Sequence, residues 1–211
     1  MNVNNLLLRV NDAAAEGGFY ADLASAPADI IRPVQTHSCN IGVIGEDGGI
    51  SDFADTDALI CFRRGMAIGV KTADCVPVLV FAPDIRAVAA IHAGWKGSLG
   101  GIVSRTMEML ADAGADMELI KAAMGPCISG RNYEVSQELA ETFATAGFSD
   151  CILGGNHLDL PAVNRKRLLS AGVREGNITM PPCCTFESKI YPSWRRTPGT
   201  QQRLLSWIKA L

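Results

Sequence analysis

At 211 residues, with 48% hydrophobic and 19% charged side chains, the chain has enough apolar content to bury a sizeable core. A formal net charge of −3 gives no electrostatic footprint for a nucleic acid, and no apolar stretch approaches the roughly 20 residues of a membrane-spanning helix. The opening MNVNNLLLRVND lacks a charged start followed by a long apolar core, so no secretory leader is expected and the chain reads as cytoplasmic.

In chain order, Leu6, Leu7, Leu8 and Val10 predict a short strand that Gly17-Gly18 should break. Residues 20–31 mix alanine with acids and suggest a short helix. Pro33 and its β-branched neighbours favour extended backbone, placing His37 at a strand end or in the following loop. Gly48-Gly49 marks a turn, 52–57 is acidic, and 58–62 is a short apolar run. Two β-branched runs follow, 76–82 and 86–91, joined by the turn dipeptide Pro83-Asp84. Their antiparallel pairing would set the start of one beside the end of the other, making Cys75 and His92 neighbours.

Beyond Gly97 the period changes. Ile102, Val103, Thr106, Met109 and Leu110 recur at helical spacing up to Gly114. Residues 119–124 predict a strand. Ser136 is a good N-cap for a helix reaching about residue 146, stopped by Gly147. Asp159 with Pro161 starts another helix, which Gly172 ends. Residues 173–179 read as loop then strand, 181–200 as irregular, and 203–208 as a closing strand. With no repeat and no biased linker, the pattern predicts one mixed α+β domain over residues 1–211.

The chemistry-bearing residues cluster around the central hairpin. A sulfur from Cys75 and imidazoles from His37 and His92 form a donor set for an open zinc site whose water is acidified. The same pair also reads as a metal-free hydrolase, with Cys75 as nucleophile, His92 as base and Asp74 as the orienting carboxylate. A buried cysteine beside two unrelated histidines gives the same letters. His92-Ala93-Gly94-Trp95-Lys96-Gly97 leads into a helix, where Lys96 suits a phosphate. Arg195 and Arg196 suit phosphate or carboxylate, or are simply solvated. Glu134 is a ligand contact or a helix-start charge. Seven cysteines at irregular spacing read as mostly reduced and buried. Cys127 reads as structural, the vicinal Cys183 and Cys184 as buried, and His157 as a surface or capping residue.

Several motifs run in a recognisable order from about residue 34 to the C-terminus. They are Gln35-Thr36-His37, Asp57-Ala58-Leu59, Thr72-Ala73-Asp74-Cys75-Val76-Pro77 and His92-Ala93-Gly94-Trp95-Lys96-Gly97. Later come Gly125-Pro126-Cys127-Ile128, Tyr133-Glu134-Val135, Leu158-Asp159-Leu160, Cys184-Thr185 and Ser193-Trp194-Arg195-Arg196. In these the chain strongly resembles the YfiH-like family, long labelled multicopper polyphenol oxidases or laccase-domain proteins. The resemblance implies a layered α/β/β/α fold and zinc ligands at His37, Cys75 and His92. It implies phosphorolysis of adenosine, inosine and methylthioadenosine to free base and ribose 1-phosphate, with adenosine deaminase activity. The partners would be small molecules, a nucleoside and phosphate. Lys96 with Arg195 or Arg196 would hold the phosphate, and Asp74 or Glu134 would carry the proton in deamination. Bacterial relatives are also linked to editing of peptidoglycan precursors, an amidase-like alternative; a non-catalytic binding protein is a further one. Copper-dependent phenol oxidation is disfavoured, because a blue-copper centre plus a copper cluster needs more imidazoles than the chain's three histidines provide, although copper could bind adventitiously. One departure stands out: residues 1–33 carry neither the Arg-x-Gly-Gly-Val-Ser-type motif nor the later Asn-Arg of a longer family N-terminal section. A milder one is Ser-Trp before the tail arginines, where an aromatic or Tyr is usual.

Overall fold

The computed structural model describes residues 5–10, 13–23, 26 and 29–211. Along the chain come β1 (Asn5–Val10), β2 (Ala13–Tyr20), β3 (Ile41–Ile44), β4 (Ala58–Cys61), β5 (Ile68–Thr72), β6 (Val76–Ala82) and β7 (Ala87–Ala93). Helices α1 (Trp95–Gly100) and α2 (Ile102–Asp112) follow, then β8 (Lys121–Met124) and α3 (Gln137–Phe143). The chain closes with β9 (Ile152–Leu153), β10 (His157–Leu158), α4 (Leu160–Ser170), β11 (Ile178–Thr179) and β12 (Leu204–Ala210).

Ten of these strands form two sheets. The larger is mixed, in the order β11-β8-β6-β7-β4-β3, with parallel pairing only at its two ends. The smaller, β1-β2-β12-β5, is antiparallel throughout. Strands β6 and β7 lie at the centre and are buried along their whole length. That explains why they read as continuous apolar runs, a pattern of strands covered on both faces. Within them the period of two survives as a division of labour. Val76, Val78 and Val80 join Ala89 and Ile91 in the core beneath the helices. Leu79, Phe81, Val88 and Ala90 instead face Ile68, Val70, Leu204 and Ile208 of the smaller sheet. The outer face of the smaller sheet is covered by the segment around Ile30, which packs with Leu205 and Trp207.

The helix ends follow local chemistry. Ser136 accepts from Leu139 N at the start of α3, and Asp159 accepts from Ala162 N at the start of α4. The α-helical turns of α3 stop at Phe143; a wider turn over 144–148 follows, with Gly147 at φ 92°.

Two expectations in the N-terminal part fail. Gly17 and Gly18 lie inside β2 instead of breaking a strand. A Cβ at Gly17 would stand 2.4 Å from the carbonyl oxygen of Trp207, so the glycine permits close approach of β12. The described residues between 20 and 31 form bends, not a helix; residues 24, 25, 27 and 28 lie outside the description. Ile31 is drawn instead onto the sheet: its N–H donates to Ala67 O and its carbonyl accepts from Gly69 N.

Candidate metal and nucleoside site

The hairpin does bring the distant residues together. Val76 pairs with Ala93 and Pro77 with His92, so Cys75, one residue before β6, lies beside the end of β7. The third residue comes from the 32–40 loop, where His37 has φ 64°. The ligand atoms of His37, Cys75 and His92 all lie within 4.8 Å of one another. Cys75 Sγ is 3.9 Å from His37 Nε2. The two imidazole rings meet edge to face with centroids 4.8 Å apart. Such a cluster could hold one metal ion.

Asp57 organises it. This carboxylate is fully buried. Its Oδ1 lies 2.6 Å from His92 Nδ1 and also accepts from the backbone N–H of His37 at 3.1 Å. Its Oδ2 accepts from Thr36 N at 3.0 Å, Ser38 N at 2.7 Å and Ser38 Oγ at 2.9 Å. Burial alone would raise its pKa, but the bonds from His92, Thr36 and Ser38 outweigh this and hold it well below the usual carboxylate range. With Nδ1 engaged, His92 presents Nε2 to the cluster, an arrangement common around metal-ligating histidines. The sequence reading placed Asp74 in the orienting role; that partner is Asp57, contributed by the residue before β4.

Without an ion, the trio polarises itself. Burial would raise the Cys75 thiol, but His92 and His37 together bring it down to about 6. Burial would lower His92, yet the adjacent Cys75 thiolate and Asp57 carry it up to about 9. The two opposed shifts favour a thiolate beside an imidazolium, a pairing suited to nucleophilic work or to a cation exchanging for the proton.

Room for an ion depends on Gly94. A Cβ there would lie 2.9 Å from Cys75 Sγ and 3.0 Å from His37 Cδ2. Its φ of −74° is open to any residue, so the requirement is purely steric. A Gly94→Ala variant is expected to keep its melting temperature within a few degrees but to purify with less than half the metal per chain of wild type, measured by elemental analysis.

The trio lines a cleft of about 1060 Å³, near the upper end of the roughly 300–1,000 Å³ typical of small-molecule sites. Aromatic walls come from Trp95, Tyr133 and Trp194. Among the described residues, four cations, Arg32, Lys71, Arg195 and Arg203, also line it, against one carboxylate, Asp74. Three of these cations were not among the residues singled out from sequence. Gln35 secures one wall: its amide pairs with the backbone of Lys71, donating to the carbonyl and accepting from the N–H, both at 2.8 Å.

The other sequence candidates are placed as follows. Asp74, at φ 88°, has both oxygens engaged, Oδ1 by Thr185 Oγ1 at 2.6 Å and Oδ2 by Arg195 N at 2.7 Å. It ties the 185–195 segment to the site. Arg195 lines the cleft over the Tyr133 ring and donates to Glu134 O at 2.8 Å. Arg196 does not line the cleft, because its guanidinium is consumed by the carbonyls of Thr185, Phe186, Ser188 and Tyr191. Lys96 is exposed and 5.6 Å from the Trp95 ring, away from the lining. Glu134 is not among the lining residues either; its carbonyl accepts from the Arg195 guanidinium. His157 bonds Gly154 O through Nδ1, apart from the trio. Of the seven cysteines, all free, only Cys61, Cys127 and Cys151 are buried; Cys183 is exposed and Cys184 half-buried, contrary to the expectation for that pair.

A family model described as multi-copper polyphenol oxidoreductase laccase matches residues 8–210. The chain is 38% identical over 198 residues to a purine nucleoside phosphorylase of Deinococcus radiodurans, covering 92% of this chain and 73% of that protein. It is 38% identical over 171 residues to adenosine deaminase RL5 of an unknown prokaryotic organism, covering 74% of this chain and 65% of that protein. The chain thus spans about two thirds to three quarters of these relatives' lengths. Among solved structures, Bacillus licheniformis YfiH superposes with a TM-score of 0.81 at 23% identity, covering 98% of this chain and 97% of that one. Neisseria meningitidis protein NMB0706 superposes with a TM-score of 0.78 at 26% identity, covering 98% of each.

Proposed function

The chain belongs to the multi-copper polyphenol oxidoreductase laccase family, and from that premise we propose that it is a zinc-dependent purine nucleoside phosphorylase, with residues 1–211 acting as one catalytic domain. The observation that carries this reading is the junction of two features in one cleft: the His37, Cys75, His92 trio and a lining rich in cations and aromatic rings. Two of the similar proteins described above bear the names purine nucleoside phosphorylase and adenosine deaminase.

His37, Cys75 and His92 would hold the ion, and a bound zinc supplies Lewis acidity at an open coordination position. The chain's own residues do the rest. The aromatic walls offer a purine a face to stack on, and the surrounding apolar surface excludes water. In phosphorolysis, a phosphate oxygen attacks the anomeric carbon of the ribose while the bond to the base breaks. Negative charge moves from phosphate toward the departing base, so the phosphate must be held and oriented before attack. Arg195, with Arg32, Lys71 and Arg203 on the same walls, supplies that field. Lys96 and Arg196 are not assigned this role. Asp74 fixes the loop that carries Arg195, through the backbone N–H of that residue.

Deamination of adenosine is a second activity that the deaminase relative favours. Copper remains a candidate ion, since two imidazoles and a thiolate also suit it; no methionine lines the cleft among the described residues to complete a blue-copper centre. The metal-free hydrolase reading is favoured by one finding of its own, the Asp57–His92–Cys75 relay, which has the order of an orienter, a base and a nucleophile.

The decisive assay combines elemental analysis with turnover of adenosine and inosine, each with and without phosphate. The expected result is one zinc per chain, phosphate-dependent release of base, and loss of turnover on chelation. A metal-free protein whose turnover ignores chelators would overturn the proposal in favour of the hydrolase. Arg195→Ala should raise the KM for phosphate about 10- to 100-fold, the loss of one charge-assisted contact, with little change in metal content. Its backbone bond to Asp74 survives the substitution.

A further inference from the structure

A second cluster of sulfur lies outside the cleft. Cys127, Cys183 and Cys184 all line a separate cavity of about 340 Å³, with Asn132 beside it. Cys127 and Cys184 are bridge partners in a short parallel pairing, closed by the bond from Thr185 N to Cys127 O at 2.9 Å. Paired strands lie about 4.8 Å apart, inside the roughly 4.4–6.8 Å Cα separation that a disulfide spans. Both residues face the same cavity, so their side chains lie on one side of the pairing. No such pairing joins Cys183 to Cys184, which are vicinal and would strain the intervening peptide.

The two sulfurs differ in surroundings. Cys184 is half-buried, and its Sγ accepts from Ser129 N at 3.3 Å and from Asn132 Nδ2 at 3.4 Å. Burial would raise its pKa, but hydrogen bonds from Ser129, through both its side chain and its backbone, and from the backbone of Glu187 and Phe186 outweigh this and lower it. Cys127 is buried, and burial beside Cys184 keeps it protonated. A half-buried sulfur with hydrogen-bond donors on it thus stands next to a fully buried thiol.

We propose that Cys184 and Cys127 form a peroxide-reactive dithiol, in which Cys184 is oxidised first and Cys127 resolves it to a disulfide. The Cys184 thiolate attacks one oxygen of hydrogen peroxide, the O–O bond breaks, and hydroxide departs and is protonated to water. Sulfur is oxidised by two electrons to the sulfenic acid as the peroxide is reduced. Cys127 Sγ then attacks Cys184 Sγ, giving up its proton as the hydroxyl group leaves as a second water. Two thiols and one peroxide become one disulfide and two waters. The crosslink would sit one residue behind two contacts on Asp74: Ile128 N to its carbonyl at 2.9 Å, and Thr185 Oγ1 to its carboxylate at 2.6 Å. Oxidation therefore pins the base of the loop that carries Arg195.

The test titrates the full-length, pre-reduced protein with hydrogen peroxide, alkylates the remaining thiols and maps the peptides by mass spectrometry. The expected product is a Cys127–Cys184 crosslinked peptide pair, reversed by dithiothreitol. In Cys127→Ser the reaction should stop at a sulfenic acid on Cys184, trapped by dimedone about tenfold faster than any at Cys61 or Cys151. Because a buried serine can unfold a chain, Cys127→Ala is run beside it. In Cys184→Ser, Cys127 should remain an alkylatable thiol. A disulfide that instead includes Cys183, or resistance of Cys184 at peroxide doses that oxidise Cys61 or Cys151, would overturn the proposal. Neither outcome touches the reading of the metal trio.

Discussion

A Cys75→Ala variant is expected to purify folded, with less than a tenth of the wild-type metal, and to lose turnover roughly a thousandfold. The magnitude follows from the several kcal/mol that metal assistance supplies, taken as about 4 kcal/mol at a tenfold rate change per 1.36 kcal/mol. The fold should survive because Cys75 lies outside β6 and belongs to neither large core. Circular dichroism and thermal melting check the fold, elemental analysis the ion, and a phosphate-dependent nucleoside assay the chemistry. Cys75→Ser divides the two chemistries further. A serine is a poor zinc ligand and a poor nucleophile, so both readings lose activity, but only the metal reading loses the ion with it. Retention of full metal content in Cys75→Ala would remove the thiolate from the ligand set.

The second large effect is expected at Asp57. Asp57→Ala should destabilise the protein by about 3–5 kcal/mol, the cost of breaking a buried, hydrogen-bonded pair, read as a fall in the denaturant midpoint. It strands the N–H groups of Thr36, His37 and Ser38 together with His92 Nδ1. Asp57→Asn is the more informative change. It keeps the volume and part of the bonding but removes the charge, and should weaken metal affinity about 10- to 100-fold at a smaller cost in stability. The sign of the acid response follows from the same contacts. The Asp57 carboxyl is held below its ordinary value, so its contribution to stability is present above about pH 4 and is lost as the pH falls further. Asp57→Asn should accordingly show a shallower loss of stability than wild type in an acid titration below about pH 4.

Much of the site was legible because it rests on a hairpin. The runs now β6 and β7 are short, β-branched and joined by a turn, so their pairing and the nearness of Cys75 to His92 followed from local signals. Asp57 was not legible as an orienting residue, since its partners lie 19 to 35 positions away and nothing local distinguishes a buried carboxylate from an exposed one. The cations show the same limit more sharply. Arg195 and Arg196 are adjacent, yet one reaches the cleft and the other is spent on four carbonyls of its own loop. Lys71 and Arg203 converge through the pairing of β5 with β12, and Arg32 joins them beside the bridge between Ile31 and Ile68. Gly17 misled for a different reason, since a residue that often interrupts strands is here required by the close approach of Trp207 O.

His37 and Cys75 stand 38 positions apart, and each reaches the trio only after the hairpin has closed and the 32–40 loop has folded over Asp57. The two large cores are built from apolar residues that include none of His37, Cys75 and His92. Unlike a zinc finger, whose ion drives its folding, the proposed site would take up its ion after folding, and a loaded ion would report finished folding. A chelated sample should retain its sheets and reload without refolding, and a cell could store the empty protein and charge it when metal becomes plentiful.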